Sequence, residues 1–163
     1  MLLLVGLGNP GSNYTNTRHN IGFRIIDAIN SHFKLSKQKP KFKGLLTTGN
    51  IEEKKIYAIK PLTFMNNSGT AIKELIDYFK IDAKDVIVFH DDMDIDFGKI
   101  KAKFGGGSAG HNGIESIDKF IGKDYSRVRV GIGHPKQKKK VNNHVLEDFK
   151  EDEEEKINEI TEN

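Results

Sequence analysis

Hydrophobic positions along the chain fall into two rhythms. Unbroken apolar runs at residues 2–5 (Leu-Leu-Leu-Val) and 86–89 (Val-Ile-Val-Phe) have the pattern of strands buried on both faces. Residues 45–51 and 55–60 predict two more strands, joined as a hairpin at Glu52-Glu53-Lys54, and residues 99–104 and 127–132 alternate as strands do. Helical spacing occupies the gaps. Ile25, Ile26, Ile29 and Phe33 predict a helix over 21–34; Ile72, Leu75, Ile76 and Phe79 predict one running from an N-cap at Ser68 to Lys80. Ile114, Ile117, Phe120 and Ile121 place a third, and Leu146, Phe149, Ile157 and Ile160 suggest a C-terminal helical region with little apolar surface. Residues 34–43 hold five lysines and Pro40 and read as an exposed connection. Strands interleaved with helices predict one α/β domain over residues 1–163, with a mixed, mostly parallel twisted sheet flanked by helices.

Between the elements lie four polar loops: 8–19 after the first strand, 61–69 after the hairpin, 90–94 after the second apolar run, and 105–113 leading into a helix. In an open α/β sheet, ligands sit beyond the carboxyl ends of the strands, so these loops are expected to converge. They carry His19, His90 and His111, the acids Asp91, Asp92 and Asp94, and the amides Asn9, Asn66, Asn67 and Asn112. A histidine oriented by a carboxylate acts as a general base on water. Amide donors suit a developing oxyanion or an amide-bearing substrate, and the same asparagines also fit turns and helix caps.

Several alternatives fall to spacing. There is no Gly-x-Ser-x-Gly nucleophile elbow. Residues 6–11 (Gly-Leu-Gly-Asn-Pro-Gly) match Gly-x-Gly-x-x-Gly, but Pro10 and residues 13–15 delay the helix, and Asp27 lies inside it instead of at a second strand end. Residues 92–103 resemble a calcium loop with Phe97 where glycine is required and Lys103 where the closing glutamate is required. No His-Glu-x-x-His or similar zinc spacing occurs, so no metal site is expected.

Charge adds a partner. The net charge of +3 divides into −7 over residues 147–163, where nine acids face two lysines, and +10 over residues 1–146. A basic body suits a polyanion, and Lys136, Lys138, Lys139 and Lys140 or the lysines of residues 34–43 are candidates to meet phosphates. A lysine-rich soluble surface accounts equally well for the charge alone. The chain has no cysteine, which excludes disulfides, thiolate catalysis and Cys-ligated zinc. No run of 18 apolar residues and no signal-peptide pattern appears, so a soluble cytoplasmic protein without a membrane partner is expected.

Five stretches taken together resemble the bacterial-type peptidyl-tRNA hydrolase family. They are residues 5–11 (Val-Gly-Leu-Gly-Asn-Pro-Gly) with Tyr14 and residues 17–20 (Thr-Arg-His-Asn); 61–69 (Pro-Leu-Thr-Phe-Met-Asn-Asn-Ser-Gly); 90–94 (His-Asp-Asp-Met-Asp); 105–107 with 110–113 (Gly-Gly-Gly, then Gly-His-Asn-Gly); and 127–135 (Arg-Val-Arg-Val-Gly-Ile-Gly-His-Pro). The resemblance implies an esterase that cleaves a peptide, or an N-blocked amino acid, from the 3′-terminal ribose of tRNA and so recycles tRNA during translation. It implies His19 as the base on water, Asp91 as the carboxylate orienting its imidazole, and Asn9 as the residue telling blocked from free aminoacyl groups. Tyr14, Phe64, Asn66 and Asn112 match positions contacting the tRNA end or the peptide, and His111 lines the same cleft. Arg18 is a candidate phosphate contact or a supporting neighbour. No metal or organic cofactor and a monomeric state are implied. Ser108 and Ala109 stand where the family often has His and Gly. Family members run some tens of residues further, so the C-terminal helix is expected to be shortened or truncated.

An activated ribose ester needs only a base and amide donors, with no covalent nucleophile, and Phe64 is suited to stack on a terminal base. Two other classes stay open at this point: a non-catalytic RNA-binding α/β domain, which the co-occurrence of His19, Asp91 and the cleft asparagines disfavours, and a nucleotide-dependent oxidoreductase.

Overall fold

The computed structural model describes residues 1–133, 141–150 and 153. Its strands are β1 Leu2–Gly6, β2 Lys39–Lys41, β3 Gly44–Ile51, β4 Lys54–Pro61, β5 Val86–Asp92, β6 Ile100–Phe104 and β7 Ser126–Gly131. Its helices are α1 Ile21–His32, α2 Ser68–Phe79, α3 Asn112–Ile121 and α4 Val141–Leu146. One sheet holds all seven strands in the order β2-β3-β4-β1-β5-β7-β6. The inner run β4-β1-β5-β7 is parallel, and the pairs β2–β3, β3–β4 and β6–β7 are antiparallel. This is the mixed α/β domain expected. Among the described residues no helix is long and apolar enough to cross a membrane.

The unbroken apolar run of β1 follows from its place in the middle. Leu3 and Val5 pack with Ile72 and Leu75 of α2 and Ile114 and Ile117 of α3. Leu2 and Leu4 face the other way, onto Ile26 and Ile29 of α1. Both faces are covered, so neither tolerates a polar position. Each fully buried side chain contributes about 2 kcal/mol of transfer free energy.

α1 crosses β1 and β5 at close range. A Cβ on Gly22 would lie 2.4 Å from Leu7 N and 2.5 Å from Phe89 O, so only glycine lets the helix lie on the strands. That crossing sets the start of α1 against the carboxyl end of β5.

The structure revises several boundaries. The expected connection over 34–43 contains the edge strand β2, paired with β3 from Lys39↔Leu46 to Lys41↔Gly44. The β3–β4 turn is Glu52-Glu53 alone, both at positive φ (48° and 70°), and Lys54 pairs with Ile51. Asn67, not Ser68, is the N-cap of α2; Ser68 is its first helical residue, and its hydroxyl donates to Met65 O at 2.8 Å. β5 continues through His90, Asp91 and Asp92, which read as loop in the sequence, because β7 pairs with them as far as Asp92↔Gly131.

Three of the four polar loops leave the same end of the parallel strands. The fourth does not. β6 is antiparallel to β7 with Phe104 opposite Ser126, so Gly105 starts at the far end of the sheet. Residues 105–110 bring the chain back. Arg127, 1% exposed, donates to Gly106 O at 2.9 Å and Gly107 O at 2.8 Å while pairing with Asp118 of α3 at 2.8 Å. The C-terminal part lies on the opposite flank: Phe149 packs with Ile21, Val130 and Ile132, and Arg18 N donates to Glu147 O at 2.9 Å. The candidate phosphate ligands Lys136, Lys138, Lys139 and Lys140, the motif residues His134 and Pro135, and the acidic segment beyond Lys150 apart from Glu153 lie outside the described residues.

Candidate active site

Alternation along β5 decides which way its polar end points. Val86 and Val88 face α2 and α3, whereas Ile87 and Phe89 face α1. Asp91 therefore falls on the α1 side, where the 3-10 turn Arg18–Asn20 presents His19. His19 Nδ1 lies 2.8 Å from Asp91 Oδ1 and 3.0 Å from Oδ2. Both side chains are buried, at 6% and 2% exposure.

A second imidazole reaches the same carboxylate. His111 Nε2 lies 2.8 Å from Asp91 Oδ1. His111 is also the N-cap of α3: its Nδ1 accepts from Gly113 N at 3.1 Å and Ile114 N at 3.3 Å. The rings of His19 and His111 stand 4.7 Å apart, and those of His90 and His111 5.0 Å. His90 Nδ1 donates to the Asp91 carbonyl at 2.7 Å, while its Nε2 is buried with no hydrogen-bond partner among the described residues.

Electrostatics follow from this packing. Burial alone pushes the Asp91 carboxyl up. Electrostatic attraction to the His19 and His111 imidazoles, with the hydrogen bonds they donate, overrides it and holds the group well below the usual carboxylate range. Burial, then the neighbouring His111, push His90 down to about 3, so it is neutral near pH 7.

His19, Asp91 and His111 are also the one group among the described residues with metal-ligand spacing, their ligand atoms lying within 4.8 Å. The hydrogen bonds argue against that use. An Nδ1 that accepts from two backbone amides places the His111 ring proton on Nε2, which then has no lone pair to offer an ion.

A cleft opens over the trio, lined by His19, Asp91, Asp92, Met93, residues 108–110, His111, Asn112 and Val145. Asn112 is exposed at its edge. Asn9, Tyr14, Phe64 and Asn66 are not among the lining residues. Asn9 connects to the site through Asn20, the neighbour of His19. Asn9 N donates to Asn20 Oδ1 and Asn20 Nδ2 donates to Asn9 O, both at 2.8 Å. Asn9 Oδ1 accepts from Met65 N at 2.8 Å, tying the first loop to the turn that carries Asn66. Tyr14 and Phe64 meet edge to face at 6.3 Å, with Phe64 51% exposed and held at φ 60°. Asn66 is exposed.

Arg18 is not available to a phosphate. It is 2% exposed, donates to His144 O at 3.1 Å and pairs with Glu147 at 3.3 Å and Glu153 at 3.0 Å. The candidate contact is a clamp between the His19 turn and the C-terminal part, because two carboxylates have already neutralised it. Asn20 and Arg127 stand in the sequence motifs 17–20 and 127–135 without a role. Asn20 carried a further signal, an amide directly after the histidine, whereas Arg127 reads as solvent-facing in an alternating strand.

The peptidyl-tRNA hydrolase family model matches residues 3–163. A peptidyl-tRNA hydrolase of Pelagibacter ubique (strain HTCC1062) is 74% identical over 163 residues, covering 100% of this chain and 88% of that one. One from Ehrlichia ruminantium (strain Welgevonden) is 53% identical over 147 residues, 90% of this chain and 76% of that one. Among solved structures, peptidyl-tRNA hydrolase from Acinetobacter baumannii superposes with a TM-score of 0.93 at 38% identity, over 99% of this chain and 83% of that one.

Proposed function

The chain belongs to the peptidyl-tRNA hydrolase family, and from that premise we propose how its cleft works and which residues do the work. The reaction is hydrolysis of the ester between a peptide and tRNA. His19 is the general base. Its Nδ1–H is committed to Asp91, which leaves Nε2 as the basic nitrogen. Nε2 takes a proton from water as the water oxygen bonds to the ester carbonyl carbon. The carbonyl oxygen becomes an oxyanion, to which the side-chain NH2 of Asn112, at the cleft edge, donates a hydrogen bond. Collapse breaks the bond to the ribose 3′ oxygen, and the imidazolium returns its proton to that leaving oxygen. Asp91 keeps the ring in the required tautomer and offsets its positive charge in the intermediate.

Asn9 bonds the amide that distinguishes a blocked aminoacyl group. Tyr14, Phe64 and Asn66 meet the tRNA end, with the exposed Phe64 ring as a stacking surface. Lys34, Lys37, Lys39, Lys41 and Lys43, all exposed, supply charge for the phosphates. The enzyme works as a monomer in the cytoplasm, without metal or organic cofactor.

One observation carries this reading: the buried contact of His19 Nδ1 with both oxygens of Asp91, at 2.8 and 3.0 Å, on the wall of an open cleft. The test is hydrolysis of N-acetyl-aminoacyl-tRNA beside unblocked aminoacyl-tRNA, by the wild type and by His19→Ala. The expected result is preference for the blocked ester, and loss of turnover in the variant with tRNA binding retained. Equal turnover by His19→Ala would remove His19 from the mechanism.

A further inference from the structure

His111 is poorly placed to bind substrate through its ring nitrogens, because both are already engaged. Nδ1 accepts from the Gly113 and Ile114 amides at the start of α3, at 3.1 and 3.3 Å. Nε2 is 2.8 Å from Asp91 Oδ1. A backbone N–H has only a proton to offer, so Nδ1 must carry the lone pair and Nε2 the hydrogen. The helix N-terminus thereby chooses the tautomer of a ring that donates to the carboxylate beside His19.

We propose that His111 is a positioning residue: by capping α3 through Nδ1 it fixes an Nε2–H donor on Asp91 Oδ1, which pins the carboxylate plane that orients His19. This rests on the His19–Asp91 reading above. Two N–H groups converge on Oδ1, one from each ring, while Oδ2 meets only His19 among the described residues, at 3.0 Å. Asp91 can rotate about its side-chain bonds only by losing one of these donors. His111 is itself held, at 8% exposure, by its place at the head of a helix whose Ile114 and Ile117 are fully buried. The rigid α3 is thus connected to the catalytic carboxylate through a single imidazole.

The informative variant is His111→Asn. Asparagine retains a cap acceptor at the place of Nδ1 and lacks the atom that reaches Asp91. The expected result is a thermal midpoint close to wild type, a fall in kcat of about tenfold, and KM for N-acetyl-aminoacyl-tRNA within about twofold, as for loss of orientation at the reacting group. Restoration of wild-type kcat by asparagine would mean that the cap alone matters. A raised KM with kcat unchanged would mean a substrate contact. Either result overturns the proposal. A second measurement needs no variant: in nitrogen NMR of the wild-type imidazoles at neutral pH, His111 should show a bare Nδ1 and a protonated Nε2, and the opposite tautomer overturns it. Failure here with His19→Ala still inactive would leave the hydrolytic reading intact. Full activity of His19→Ala would remove the base on which both rest.

Discussion

Replacing Asp91 with asparagine isolates the electrostatic part of the mechanism. The change is nearly isosteric at a side chain 2% exposed. It removes a charge and, with the amide oxygen kept at Oδ1 where both imidazole N–H groups converge at 2.8 Å, puts an NH2 group at the Oδ2 position, 3.0 Å from His19 Nδ1. One N–H then meets a donor. His19 relieves the clash by moving its proton to Nε2, which removes the lone pair that must take a proton from water. The charge effect adds to this. A carboxylate and an imidazolium about 4 Å apart interact by about 4 kcal/mol at an effective dielectric of 20, equivalent to about three powers of ten in rate. Little screening applies, because the His19 side chain is 8% exposed. Asp91→Asn is therefore expected to lower the single-turnover rate on N-acetyl-aminoacyl-tRNA about 1,000-fold, with tRNA affinity retained. The assay is enzyme-excess quench kinetics, with circular dichroism to establish folding. A folded variant losing less than about tenfold would refute the claim that Asp91 charge and tautomer control drive the step.

Other expectations follow from buried groups outside the chemistry. His90 is held neutral with its proton affinity lowered to about 3, so the unfolded chain binds an extra proton below its ordinary value near 6.5. Stability should fall by about 1.4 kcal/mol per pH unit from that value downward; denaturant titrations from pH 7 to 5 should show the slope, and His90→Leu should flatten it. The lowered Asp91 carboxyl has the same sign in a lower window, its stabilisation being lost as pH falls below about 3.9. Arg18→Met should cost about 1–3 kcal/mol, discounted because Glu147 is 40% exposed, without changing the dependence of KM on salt. A salt slope reduced by about one would restore Arg18 as a phosphate contact. Gly22→Ala should lower the thermal midpoint sharply, because its Cβ would meet backbone at 2.4 Å; an unchanged midpoint would mean that α1 does not lie on β1 and β5 as described.

The central architecture was legible because its pattern is one-dimensional. Apolar runs over residues 2–5 and 86–89 mark strands covered on both faces, and the spacing of Ile72, Leu75, Ile76 and Phe79 marks a helix. The edge was not. Phe42-Lys43 makes a tight hairpin turn at positive φ without glycine or asparagine, so no turn residue announced β2, whereas the β3–β4 hairpin was legible from its two flanking strands and only its turn shortens, to Glu52-Glu53. His90, Asp91 and Asp92 read as loop because polarity outweighed pattern, and only the pairing with β7 keeps them in the strand. The motifs brought His19, Asp91, His111 and Asn112 to one cleft. The sharing of Asp91 between two histidines depends on which face of β5 and which end of α3 are used, information that the sequence holds only through tertiary packing.

If His19 and Asp91 act as one unit on water, their losses cannot multiply. Single-turnover rates for the wild type, His19→Ala, Asp91→Asn and the double variant, each shown to bind tRNA, measure this directly. The double variant is expected to be no slower than His19→Ala alone. A double variant slower by the product of the two single losses would contradict it, because Asp91 would then contribute to the transition state by a route that does not pass through His19.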